Sequence, residues 1–176
     1  MATLYLEESS VKLALSVLVF SISLTMPLHA AEVPVDARAS ARAEVQQLVE
    51  SFRHAIVVKD GEAVRGMFLP GGSGFRALDR TSLAAVREKN PDARQFNPWS
   101  YEEFAKTLET TSVKLEETFD NVQIDTDGTV GMVWFDYRVI KDGKQTNHGV
   151  ETWQVVRESD GWKISAMLYS VTNDIR

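Results

Sequence analysis

The sequence contains no cysteine, which excludes disulfides, thiol nucleophiles and thiolate metal sites. Histidine is nearly as scarce. Of three, His29 precedes the expected globular part, and His54 and His148 lie far apart, on an expected helix and an expected strand. That spacing offers no ligand cluster, so no metal or other cofactor is expected. Positive charge is in the minority, with 19 Lys and Arg against 25 Asp and Glu and a formal charge of −6. Without a basic stripe, no nucleic-acid partner is expected. Long apolar runs are missing too: Leu13 to Leu24 is of signal-peptide length and too short to span a bilayer comfortably. There are no internal repeats and no low-complexity tracts.

That short run is followed by Pro27 and then Leu28-His29-Ala30-Ala31, a small-residue exit suited to a signal peptidase. Residues 1–30 are read as a signal peptide, 31–38 as a short lead and 39–176 as a single domain. The expected location is periplasmic or secreted, with no stable membrane anchor after cleavage; a retained anchor is the alternative. Glu7 and Glu8 stand where a positive n-region belongs, and a start at Val11 would restore one as Met-Lys-Leu.

What is present is a chain with 44% apolar and 25% charged residues, enough for one sizeable core. From Asp36, a candidate cap, the residues Ala41, Val45, Leu48, Val49, Phe52 and Ile56 repeat with helical spacing. His54 falls off that stripe and reads as a surface residue. Lys59-Asp60-Gly61 ends the helix, and Asp60 can cap a short second one. Leu69 to Gly74 is glycine-rich but lacks the strand, lysine and helix of a phosphate loop, so it reads as a turn entering a strand at Phe75 to Leu78. Thr81 or Ser82 can cap a helix from Leu83 to Lys89. Gln95 to Trp99 reads as a loop, and Ser100-Tyr101-Glu102-Glu103 as a capping box opening another helix.

The last third is an antiparallel meander whose strands are joined at Asp142-Gly143 and Asp160-Gly161, the strongest hairpin signals a sequence offers. With those dipeptides central, Trp134 stands opposite Glu151 and Trp153 opposite Leu168. One face then gathers Trp134, Asp136, Arg138, Glu151, Trp153, Leu168 and Ser170, with Val155, Ile164 and Ala166 at its apolar end. The opposite face gathers Phe135, Tyr137, His148 and Tyr169. The first is expected to meet the helices and form a pocket for a small apolar or amphipathic ligand, with Asp136, Arg138, Glu151 and Asn147 at its polar end. The same charges can be read instead as a self-satisfied ion-pair network. The second face, apolar as well, is expected to meet another copy of the chain through Phe135, Tyr137 and Tyr169. A two-residue turn at Asp127-Gly128 would add Glu117 and Phe119 to the pocket face, and a three-residue loop would add Asp120.

Phe52-x-x-Ala55 with Lys59-Asp60-Gly61, Met67-Phe68-x-Pro70 and Gly161-Trp162-Lys163-Ile164 running to Leu168-Tyr169-Ser170 together resemble the nuclear transport factor 2-like superfamily. Its SnoaL-like and ketosteroid-isomerase-like branches are the most similar. The resemblance spans Ala39 to Thr172 and implies an α+β fold: a cone-shaped roll in which a curved, mainly antiparallel sheet wraps N-terminal helices. It implies that Trp162, Ile164, Ala166, Leu168 and Ser170 face inward, and that the outer sheet face dimerises. Three functions are compatible with it. The first is an exported binding protein; the second is an isomerase or hydrolase using Asp136 or Glu151 with Arg138; the third is a dimeric interaction module.

Overall fold

The computed structural model of the protein describes residues 35–174, and the expected signal peptide and the first half of the lead lie outside them. Helix α1 (Val35–Val58) carries the expected stripe, with Ala41, Val45, Val49, Phe52 and Ile56 all buried and His54 exposed. Asp36 lies within its first turn rather than before it. The helix stops at Lys59, which takes a left-handed φ of 61°. There the Asp60 amide donates to the Ala55 carbonyl at 2.9 Å and the Lys59 amide to that of Ile56 at 3.3 Å. These two bonds close the last turn and leave its carbonyls satisfied. Asp60 then accepts from the Ala63 amide at 2.8 Å and opens α2 (Gly61–Met67), as its position implied.

Helix α3 (Arg80–Lys89) starts earlier than expected and is capped by Asp79, which accepts from the Ser82 amide at 2.7 Å. The Ser82 hydroxyl instead accepts from the Asn173 amide at 2.8 Å, tying this helix to the end of the chain. Helix α4 (Tyr101–Thr110) begins where the capping signal placed it, with Ser100 Oγ accepting from the Glu103 amide at 3.2 Å.

The strands are β1 (Phe68–Leu78), β2 (Phe96–Trp99), β3 (Leu115–Thr126), β4 (Val130–Lys141), β5 (Lys144–Glu158) and β6 (Gly161–Asn173). They form one curved sheet in the order β2-β1-β6-β5-β4-β3. Only the β1–β6 pairing is parallel. This is the α+β roll expected from the sequence, and the sheet does not close on itself. Two stretches differ from expectation. The Gly/Pro segment joins β1 through an irregular register between Phe68 and Ser73, and Gln95 to Trp99 is mostly strand. The reason is local: Gly74 lets Trp99 lie against the β1 backbone, where a Cβ would sit 2.5 Å from the Trp99 ring.

The meander is as expected in order but not in register. Asp142 and Gly143 both take positive φ, 48° and 77°, as a two-residue turn requires. Beyond it, β5 holds one extra residue: Ile140 pairs with Gln145, but Val139 pairs with Asn147, leaving Thr146 as a bulge. The next turn centres on Ser159-Asp160, since Glu158 pairs with Gly161, and a second bulge follows at Ser165. A slip of one residue turns every side chain to the other face. The row Val133, Phe135, Tyr137 and Val139 therefore faces the helices, together with Glu151, Trp153, Val155, Trp162, Ile164 and Met167. Among these, Val133, Phe135, Trp153, Val155 and Ile164 are fully buried. Each such side chain contributes about 1.5–3 kcal/mol relative to exposure.

Candidate functional site

The inner face changes character along the strands. Val133, Val155 and Ile164 form a dry end against α1 and α2. Toward the opposite end, side chains from both helices and sheet surround a cavity of about 770 Å³. Phe52 and Ile56 of α1, Phe104 of α4 and Trp99 of β2 supply apolar walls. The sheet supplies Glu117, Tyr137, Glu151 and Tyr169, with Asn147 and Asn173 nearer the rim.

Cross-strand register shows how these groups are set out. One inward row runs Phe135, Glu151, Tyr169, Arg76 across β4, β5, β6 and β1. Nearer the rim a second row runs Glu117, Val139, Asn147, Asn173. Between them lie Phe119, Tyr137 and Gly149. Gly149 is required there because a Cβ would collide with the Ser170 carbonyl. The bare glycine lets Tyr137 reach across β5 and donate its hydroxyl to that carbonyl at 2.7 Å.

Glu151 is 5% exposed and accepts from Trp153 Nε1 at 2.5 Å. No ion pair to it or to Glu117 occurs among the described residues. Burial pushes the Glu151 carboxyl up to about 7, with the Trp153 bond opposing the rise only in part. Glu117 is raised well above the carboxylate range, first by burial and then by the Glu151 charge. Tyr137 is raised by burial and by both glutamates. Tyr169 is raised by burial and Glu151, against a smaller opposing pull from Arg76. Two acids without a cation, both with raised proton affinity and one of them held near 7, can exchange protons with whatever occupies the space beside them.

Of the residues read from sequence as ligand-contacting, Glu151 lines this cavity and Trp153 lies beneath it in the core. Trp134, Asp136, Arg138, Leu168 and Ser170 lie on the other side of the sheet, because the Thr146 and Ser165 bulges reverse their strands relative to β5. On that outer side Arg138 pairs with Asp120, and Asp136 accepts from Asn121 Nδ2 at 2.7 Å. Ser170 Oγ accepts from the Val150 amide at 3.0 Å. The anticipated cluster of Asp136, Arg138 and Glu151 is thus divided by the sheet. Phe135, Tyr137 and Tyr169, expected on the outer face, point inward. Trp162 and Ile164 face inward as the family resemblance implied, whereas Ala166, Leu168 and Ser170 do not. Glu117 and Phe119 are on the inner face, but the turn does not set them there: the loop is longer than two residues, since Thr126 pairs with Gly131, and a register shift between Asp120 and Gln123 brings Glu117 opposite Val139 and Phe119 opposite Tyr137. The contributions of Tyr137, Tyr169 and Arg76 were missed. Alternation along β4 held the signal: Val133, Phe135, Tyr137 and Val139 form a cleaner apolar row than Trp134, Asp136 and Arg138.

Comparison with solved structures gives the architecture a place. A candidate scytalone dehydratase from Novosphingobium aromaticivorans superposes with a TM-score of 0.61 at 13% identity, covering 79% of this chain and 89% of that one. A nuclear transport factor 2-like protein of unknown function from Pseudomonas putida gives 0.59 at 12% identity, over 78% and 97%. The fold is nuclear transport factor 2-like. A nuclear transport factor 2-like superfamily protein from Salmonella enterica agrees, with a TM-score of 0.54 at 14% identity over 78% and 94%. No protein-family profile and no curated protein matches the sequence. Identities this low carry the nuclear transport factor 2-like fold and leave its chemistry to the residues of the site.

Proposed function

We propose that this protein binds a small, partly apolar molecule in the cavity between its helices and its sheet. The observation that carries the reading is the open space of about 770 Å³ above Glu117 and Glu151, left unfilled although Phe52 and Phe104 stack beside it. Its size is that of ordinary small-molecule sites, and an apolar body with a few converging polar groups is their usual composition. Native mass spectrometry of the protein purified from its own host tests this. A small mass carried by the folded chain and lost on denaturation supports the reading; persistent absence of any passenger, together with no binding from an amphipathic library, overturns it.

A second reading gives the bound molecule a proton-transfer reaction, an isomerisation or a hydration, with Glu151 as the acid–base group. It is favoured by a carboxyl held near 7, where a group can both give and take a proton. Asp136 and Arg138 have no part in it, since they lie behind the sheet. Replacing Glu151 with Gln should abolish turnover of an identified substrate while leaving its binding measurable.

Two further expectations belong to this proposal. The outer face presents a row running Trp134, Thr152, Leu168, Phe75, in which Leu168 and Phe75 are about half exposed at 50% and 49%. This row, and not Phe135, Tyr137 and Tyr169, is the surface through which a homodimer would form. Export to the periplasm or medium rests on Leu13 to Ala31, and the mass of the chain isolated from each compartment tests it.

A further inference from the structure

The small-molecule reading leaves open what kind of molecule fits, and the surroundings of the two acids narrow it. Glu151 is flanked in its row by Phe135 and Tyr169, so the nearest guanidinium along that row, Arg76, is held off by a ring. Glu117 has Val139 as its row neighbour. Neither carboxyl has a cationic partner among the described residues. The space they border is walled by aromatic rings: Phe52 and Phe104 stack at 6.1 Å, and Trp99 and Tyr137 each meet Tyr169 edge-on at 6.2 and 6.0 Å.

We propose that the cavity takes an organic cation, an amine or quaternary ammonium on an apolar body, with its charge beside Glu117 and Glu151 and its body against these rings. The inference rests on the binding function proposed above. Ring faces are electronegative and attract cations most strongly where water is excluded. The ligand's charge supplies the carboxyls with the countercharge that the protein itself does not provide. A single positive charge needs only one ionised carboxylate, so the second acid can keep its proton. Other charges facing the space are Arg76, Arg94 and Lys141, with Asp92 and Glu116. The three cations are exposed to solvent, where water and salt screen them, whereas the two glutamates are not.

The alternative occupant is a neutral hydrogen-bond acceptor taking a proton from a neutral glutamic acid. The two differ in the sign of their pH dependence. A cation requires a carboxylate and binds more tightly as pH rises through about 7, the value toward which Glu151 is pushed. An acceptor requires the acid and binds more weakly over the same range.

The test titrates the full chain with 4-phenylbutylamine, 4-phenylbutanol and 4-phenylbutyrate by calorimetry at pH 6 and pH 8. The amine should bind tightest of the three, gain roughly tenfold in affinity from pH 6 to 8, and release protons, seen as a dependence on buffer ionisation heat. The E117Q/E151Q variant should lose that gain while still binding the alcohol. Equal or tighter binding of the alcohol or the carboxylate, or an amine affinity indifferent to pH, overturns the cation inference and leaves the binding function standing. Failure of all three probes to bind overturns the cation inference, and the passenger and library experiments above then decide the binding function. Proton release is read on the unsubstituted protein, so the outcome does not depend on the variant folding.

Discussion

Glu151→Gln should stabilise the protein, and only at high pH. The Glu151 carboxyl moves from an ordinary value of 4.5 to about 7 on folding because burial penalises its charge. A group whose folded value is raised binds more protons in the native state than in the unfolded chain between those two values. Stability therefore falls as pH rises from 4.5 to 7, and the full penalty applies above 7, amounting to about 3 kcal/mol. Glutamine is nearly isosteric with the protonated acid and still offers Trp153 Nε1 an acceptor. The variant loses only the charge assistance of that bond, about 1 kcal/mol at high pH. The net expectation is a gain of about 2 kcal/mol at pH 8, or roughly 4–8 °C in melting temperature. Near pH 4.5 the two proteins should differ by less than about 0.5 kcal/mol, since native Glu151 is then neutral. Removing the Glu151 charge also eases ionisation of Glu117, so the pH profile of the variant should be shallower. Urea unfolding at both pH values measures this. A variant no more stable than the parent at pH 8, or one with the same gain at both pH values, would refute the account of Glu151 as a buried acid without a cation.

Other substitutions probe other parts of the argument. Gly149→Ala drives a methyl group into the Ser170 carbonyl and disturbs the Tyr137 bond, so thermal melts should show a loss of about 3 kcal/mol; a melt like the parent's would mean that the β5–β6 spacing there is loose. Trp153→Phe keeps the ring in the core but removes the donor to Glu151, and a carboxyl titration followed by NMR should move above about 7. Ser100→Ala removes the cap of α4, which carries Ala105 and Leu108 into the core, and should cost about 1 kcal/mol in denaturant unfolding. Leu168→Glu places a charge in the exposed outer row through which the homodimer is proposed to form, so sedimentation should show the parent as dimer and the variant as monomer, with the melting temperature nearly unchanged. A dimer unaffected by that charge would locate the interface elsewhere.

The helices were legible because their signals are local. The stripe from Ala41 to Ile56, the Lys59-Asp60-Gly61 stop and the Ser100 cap depend on neighbours within a turn or two. The turn at Asp142-Gly143 was legible for the same reason. Register was not, because no residue type announces the bulges at Thr146 and Ser165; they form where the inner row must continue across a strand whose turn sets the opposite phase. The cost of that invisible residue is concentrated at the site. Helix positions stayed correct while Trp134, Asp136, Arg138, Leu168 and Ser170 changed sides. Glu151 kept its inward place because β5 was the reference for both pairings. Polar groups do line the Asn147 side of the cavity, where Glu117, Tyr137 and Tyr169 stand in place of Asp136 and Arg138.

The register also bears on the two readings of that polar end. A self-satisfied ion network needs a cation touching each acid, and the register expected from the sequence supplies one in Arg138. On the folded sheet Arg138 serves Asp120 on the outer face, Tyr169 occupies the row position beside Glu151, and Val139 the one beside Glu117. Burying an acid this way costs several times what an average hydrogen bond returns, so a sequence shaped by stability alone would place glutamine or leucine there. Nothing on the dry half of the same face carries such a cost: Val133, Val155 and Ile164 are fully buried and apolar. Destabilising groups gathered at the one end that opens on a cavity, and absent from the end that does not, are what the proposed binding or proton-transfer site calls for, and they support that proposal over a purely structural sheet.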